Sequence, residues 1–414
     1  MAEITGADAL LACLRREEEA VKINHLQAYR AVDWEVVLGS AIRYGVAPVL
    51  YHTLKPLYAE LKISEAVWEK LRSIYYSSVV RNMRLYRELL KVVELLNSQG
   101  TPVILLKGGH LAETVYGNIA LRPMADVDLL AREEDLPRVH RALIEQGYST
   151  ADGQLSCQLH LAPYIKEKGQ VIEVHFSITR PPVSERFAIA TLWERVHKYS
   201  YQGVEVLTLG PEDLMLHICT HTCLDHSFDN GIMPYLDILH TVEHYEDSLS
   251  WEQLWERAGE WGIERTVYLM LSLTEKMLGL VVPEEIKAKM DTDREVLGAL
   301  NTAEEMIFER GAGVSPVVAR MFGQIGRREK LKYFLRRTFP PKEKMSVAFR
   351  EPGGNSRLKL YWLYLLRVQS LLGRHGKLIW SGLRKNPAAV TVLDLENRKN
   401  NLRDWLTKNE QGQW

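Results

Sequence analysis

The apolar pattern of this chain changes period near residue 99 and changes back near residue 205. Up to Ser98 it repeats at helical spacing, as in Ala9-Leu10-Leu11 with Cys13-Leu14, and in Val36-Val37-Leu38 with Ile42. A long periodic run from Ser64 to Leu96 closes at Asn97-Ser98-Gln99-Gly100, with glycine just past the helix end. Short β-branched runs follow. Strands are expected at Pro102–Leu106, at Asp126–Leu130, at Gln158–Ile165 and at Gln170–Ile178, the last two joined through Glu167-Lys168-Gly169. Gly108-Gly109 reads as a turn, His110–Tyr116 as a short helix and Glu133–Gln146 as a longer one. From Pro211 the helical spacing returns, in Trp251–Trp261, Thr266–Leu278 and Pro283–Met290. A loop over 340–357, an amphipathic stretch over Leu358–Leu383 and a polar tail after Asn386 complete the reading. One strand-rich stretch between helical ones implies an α+β fold, a small mixed sheet held between helical segments. Four regions are expected: 1–98, 99–205, 206–340 and 341–414.

The chain has 414 residues, 46% hydrophobic and 25% charged, with a net charge of -1. That is long enough for two or three domains and too neutral for a chain devoted as a whole to nucleic acid. Four cysteines (Cys13, Cys157, Cys219, Cys223) are too few for a disulfide framework. The N-terminus carries no basic and apolar leader, and no run of apolar residues is long enough for a membrane helix. A cytoplasmic protein is expected.

Asp126 and Asp128 lie in Arg122-Pro-Met-Ala-Asp-Val-Asp-Leu-Leu. Carboxylates two apart on a strand share a face, and like charges side by side are costly unless a cation neutralises them. Mg²⁺ or Mn²⁺ is the usual answer, together with substrate phosphates. Val171-Ile172-Glu173-Val174-His175 alternates, so Glu173 and His175 also share a face. A third carboxylate beside the first two suits a two-metal site, or a base that takes the acceptor's proton. Upstream, Lys107-Gly108-Gly109 stands between a strand and a helix, where backbone N–H groups can approach phosphate. Lys107 and Arg122 add positive charge for a triphosphate.

In this order (strand, Gly-Gly, helix, Asp-x-Asp strand, later acidic strand) the residues resemble the DNA polymerase β-like nucleotidyltransferase superfamily. Leu106-Lys-Gly-Gly-His, Arg122–Leu130, Glu173-Val-His and a helical region with His217, His221 and Asp237 look closer still to its uncharacterised bacterial nucleotidyltransferase family. The resemblance implies a nucleotidyltransferase core with metal-binding Asp126, Asp128 and Glu173 and a phosphate turn at Gly108 and Gly109. It implies an NTP as substrate and pyrophosphate as product. Many members of the superfamily carry Ser where this chain has Gly109, so here Lys107 and backbone groups must serve.

His217 and His221 sit one helical turn apart, with Asp225 and His226 nearby, while Cys219 and Cys223 fall on the opposite face. No Glu follows the first His as in zinc proteases. The plainer reading is a helix packed over the cleft, with His175, His221 and Asp237 lining an acceptor pocket. Between Arg320 and Lys385 there are 17 Lys/Arg against three Asp/Glu, interleaved with Tyr333, Phe334, Phe339, Tyr361, Trp362 and Tyr364. That stretch suits contact with a polyanion. The acceptor stays open among small molecules, peptides or proteins and tRNA. The alternatives are a toxin-like enzyme modifying RNA, or an interaction protein that keeps the fold without catalysis.

Overall fold

The computed structural model describes residues 5–28, 32–150, 159–166, 169–290, 295–308 and 387–407. The chain divides into two compact units, residues 1–308 with 406–414, and residues 309–405. The basic stretch 320–385, the loop 340–357 and Cys157 lie outside the described residues.

The first unit opens with α1 (Gly6–Leu14), α2 (Glu19–Ala28), α3 (Trp34–Arg43) and α4 (Ala47–Leu54), then the 34-residue α5 (Glu65–Ser98). Ser64 caps α5 by accepting from the Val67 amide at 3.4 Å, and Gly100, at φ +64°, takes the left-handed turn after its last residues. The alternating region supplies β1 (Ile104–Leu105), α6 (Lys107–His110), β2 (Val127–Leu130), α7 (Leu136–Glu145), β3 (Ser149–Thr150), β4 (Tyr164–Lys166), β5 (Gln170–His175), the short α8 (Ala190–Glu194), β6 (His197–Tyr201) and β7 (Val204–Thr208). Then come α9 (Pro211–Thr220), α10 (Met233–His244), α11 (Trp251–Trp261), α12 (Glu264–Leu278), α13 (Glu284–Met290) and α14 (Glu295–Phe308). No helix among the described residues is long and apolar enough to cross a membrane.

The seven strands form one mixed sheet, ordered β3-β4-β5-β2-β1-β7-β6. The fold is α+β, with helices flanking this sheet. β2 runs parallel to β5, with Asp128 opposite Glu173 and Leu130 opposite His175. Parity then decides what each face carries. Val127, Leu129, Ile172 and Val174 point into a core shared with Leu85, Leu89, Val93 and Leu96 of α5 and Val139 and Leu143 of α7. Each large apolar side chain buried there is worth about 1.5–3 kcal/mol. Asp128, Glu173 and His175 have the opposite parity, so they emerge on the other face of the sheet.

Several expectations are corrected. Residues Leu159–Pro163 do not form a regular strand; only His160 bridges to His175 before β4 begins at Tyr164. The β6–β7 hairpin was not read from the sequence, although Gln202-Gly203, both at positive φ, is the turn such a hairpin needs. Gly108 and Gly109 are not a turn but the start of α6. The residues after Asn386 were expected as a polar tail, yet Pro387–Thr407 is helical, with Arg398 and Asp394 paired 3.3 Å apart one turn along.

Candidate active site

Lys107 makes the bend between β1 and α6. Its φ of +41° is a conformation that costs a non-glycine residue roughly 1–3 kcal/mol, and such strain concentrates where a side chain must be aimed. The Leu106 amide bonds the Asp128 carbonyl at 3.0 Å, and the Lys107 ammonium reaches the Asp128 carboxylate at 3.2 Å. The two glycines supply room rather than turn geometry. A Cβ on Gly109 would stand 2.5 Å from Leu105 Cδ1, and one on Gly108 would stand 2.8 Å from Arg122 Nη1. Tyr86 of α5 donates to the Gly109 carbonyl at 2.8 Å and fixes the start of α6 against the core.

Asp128 is 6% exposed and is the hub of the site. Besides Lys107 it accepts a hydrogen bond from His175 Nε2 at 2.8 Å. His175 Nε2 also lies 3.7 Å from Glu173 Oε2, and His160 Nε2 lies 3.9 Å from the same oxygen. One ligand atom each from Asp128, Glu173 and His175 gather within 4.8 Å of one another. Burial would push Asp128 up, but Lys107 and the His175 hydrogen bond outweigh it and hold the carboxyl well below the usual range. Asp126, in the bend before β2, stands outside that tight group but lines the same cleft. Burial, then the negative charges of Asp128 and Glu173, push Asp126 up to about 6. The chemistry of this donor set, with carboxylates crowded enough to raise one of them, fits a divalent cation. The imidazole nitrogen among them suits Mn²⁺ as well.

The cleft has a volume of about 360 Å³. Its far wall comes from α9 and the π-helical turn His221–Asp225 that follows it; such turns recur at functional sites. The first turn of α9 is anchored by buried acids: Arg195 grips Asp213 at 2.9 and 3.0 Å, and Arg257 reaches Glu212 at 3.2 Å. That leaves the other end of α9 to face the carboxylates. His217 is 1% exposed, and among the described residues neither of its ring nitrogens has a hydrogen-bond partner. Burial, then the Lys107 charge, keep both His217 and His221 well below the usual imidazole range, so both are neutral. His221 packs edge-on to His226 at 4.4 Å and lies 3.7 Å from Asp225 Oδ2; Arg180 pairs with the other oxygen of Asp225 at 3.0 Å.

Asp237 is not on the cleft wall. Its carboxylate sits behind Arg122, which holds it through Nε at 3.2 Å and Nη2 at 3.0 Å, and Tyr116 donates to it at 2.9 Å. A carboxylate 2% exposed must be paired, and the guanidinium fork meets that need. Burial works against the Arg122 charge, but Asp237 outweighs it and raises the guanidinium above its ordinary value. Arg122 lines the cleft with two of its three nitrogens committed to Asp237. The sequence reading also missed Asn82. Fully buried on α5, it donates to the Arg122 carbonyl at 2.9 Å and accepts from the Met124 amide at 3.2 Å, pinning the loop that leads to Asp126. Its one signal was a polar residue, with Ser78 a turn before it, on a helix face that is mostly apolar. His160, Arg180, Asp225 and His226 were likewise assigned no role, because only the folded chain brings them to the cleft.

A family model described as uncharacterised nucleotidyltransferase matches residues 30–279, a span that takes in the whole sheet and helices α3 through α12. No curated protein and no solved structure matches the chain.

Proposed function

Because the chain belongs to this family of uncharacterised nucleotidyltransferases, we propose that it moves a nucleoside monophosphate from an NTP to a hydroxyl-type acceptor. The observation that carries this reading is the register of β2 on β5, which sets Asp128 beside Glu173 and beneath Lys107. In the step, the acceptor oxygen bonds to the α-phosphorus, the bond to pyrophosphate breaks, and the hydroxyl proton passes to Glu173. Asp126, Asp128 and Glu173 are the residues that would hold Mg²⁺ or Mn²⁺, with His175 steadying Asp128 or joining them. A bound cation would draw the triphosphate to these acids and offset charge on the leaving pyrophosphate. Lys107 and the N–H groups of Gly108 and Gly109 face the phosphates, and Arg122 lends its remaining nitrogen. His221 and its neighbours on the far wall face the acceptor.

Transfer is tested with NTPs labelled at the α- or γ-phosphate, with Mn²⁺ and a cell extract. The α-label should pass to an acceptor and the γ-label should leave in pyrophosphate. Passage of the γ-label to the acceptor would identify phosphoryl transfer and reject this reading.

Asp126 also gives the site a pH signature. It keeps its proton up to about pH 6, so protons compete with a cation there and Mn²⁺ affinity should fall between about pH 7 and 5. The metal-free chain has the opposite sign. A raised carboxyl pKa favours the folded form below the unfolded value, and that contribution is lost as pH rises through about 6. Electron paramagnetic resonance of free Mn²⁺ measures the affinity; a flat profile across this window would remove Asp126 from the site.

A further inference from the structure

A second and larger depression, of about 760 Å³, lies along α5. Its floor is the exposed face of α5, with Ser73, Tyr76, Ser77, Val80, Arg81 and Arg84. Its other wall is made by Ala125 and by Gln170 at the start of β5. Ala125 lines the groove and the next residue, Asp126, lines the cleft, so one bend before β2 borders both. Gln170 has the parity of Ile172 and Val174, so the groove opens on the α5 side of the sheet and the cleft on the other, and a strand in the groove would reach the cleft round the start of β2 and β5.

We infer that this groove receives the end of a single-stranded RNA and directs its terminal hydroxyl to the cleft. The inference rests on the nucleotidyl-transfer reading above and names the acceptor. Charge makes the first argument: Arg81 and Arg84 are the charged residues of the lining, and among the described residues no acid pairs with either. The next exposed arginine, Arg87, continues the row at the same three-residue spacing. Unpaired guanidinium groups in line along a helix suit successive phosphates. The apolar content makes the second. Tyr76 is 53% exposed and is held edge-on by Tyr75 at 5.4 Å, while Val80 and Met83 are 49% and 59% exposed. An aromatic ring beside a cationic track is how sequence-tolerant sites take single strands. Ser73, Ser77 and Gln170 offer hydrogen bonds to 2′-hydroxyls.

The test uses the full chain and a fluorescein-labelled RNA of about ten nucleotides, read by anisotropy across a salt series without NTP. Arg81→Glu with Arg84→Glu should weaken binding about tenfold and flatten the slope of log affinity against log salt by about 1.4. Tyr76→Ala should weaken it about fivefold with the salt slope kept. A DNA of the same sequence should bind more weakly. Both arginines are exposed, and Mn²⁺ affinity should be unchanged in the double variant, which controls for folding. RNA binding that ignores the double variant, or DNA binding that equals RNA binding, overturns the inference, whatever other acceptor the chain labels. Asp128→Ala should keep RNA binding and lose α-label on the RNA end. RNA held through the arginines, with no label passing from any NTP to any acceptor, would instead overturn the transfer reading and the delivery that rests on it.

Discussion

Replacing Asp128 with asparagine is expected to slow nucleotidyl transfer by about three orders of magnitude. Asparagine keeps the shape and loses the charge, so the change removes the hub that joins Lys107, His175 and the proposed cation. Charge stabilisation by a bound cation is worth several kcal/mol, and about 4 kcal/mol corresponds to a thousandfold in rate. The same substitution has a readout apart from turnover. The Asp128 charge is the largest cause after burial of the raised Asp126 carboxyl, which should therefore titrate lower in the variant. Carboxyl chemical shifts report that directly. A variant within about tenfold of the parent rate, with Asp126 unmoved, would place the chemistry elsewhere.

The largest loss of stability is expected from Asp237→Ala. It leaves the Arg122 guanidinium without its partner, and breaking one side of a buried pair costs roughly 3–5 kcal/mol. For a unit of this size that lowers the melting temperature by about 10 °C. Arg122→Met combined with Asp237→Leu should recover most of the loss, because no charge is then left behind. A melting temperature unchanged by the single substitution would mean that Arg122 finds water or another acid, and that the pair does not hold β2's approach to α10.

The two results separate what the residues alone convey from what only the fold supplies. Period-two alternation was enough to put Glu173 and His175 on one face, and Val127 and Leu129 on the other. It could not set the register of β2 on β5, because nothing local fixes which residue stands opposite which. The Arg122–Asp237 pair joins residues 115 positions apart, and no spacing rule reaches that far. Asp237 was therefore expected to line the acceptor pocket, whereas its carboxylate is held by Arg122 and Tyr116. Gly108 and Gly109 read as a turn because glycine so often marks one. Their surroundings, Arg122 and Leu105, show that they are there for close approach. The β6–β7 hairpin escaped because Gln202-Gly203 is a less familiar pair than Asn-Gly, and His197 and Lys198 dilute the apolar alternation.

Parallel neighbours such as β2 and β5 need a crossover, and Asp128 and His175 are 47 residues apart. The acidic cluster therefore comes into being only when this distant docking is made, a late and slow kind of folding event. Repulsion between Glu173 and the two aspartates opposes that event. An ion that binds them would act on the finished structure alone and draw the equilibrium toward it, serving the chain's maturation before it serves any turnover.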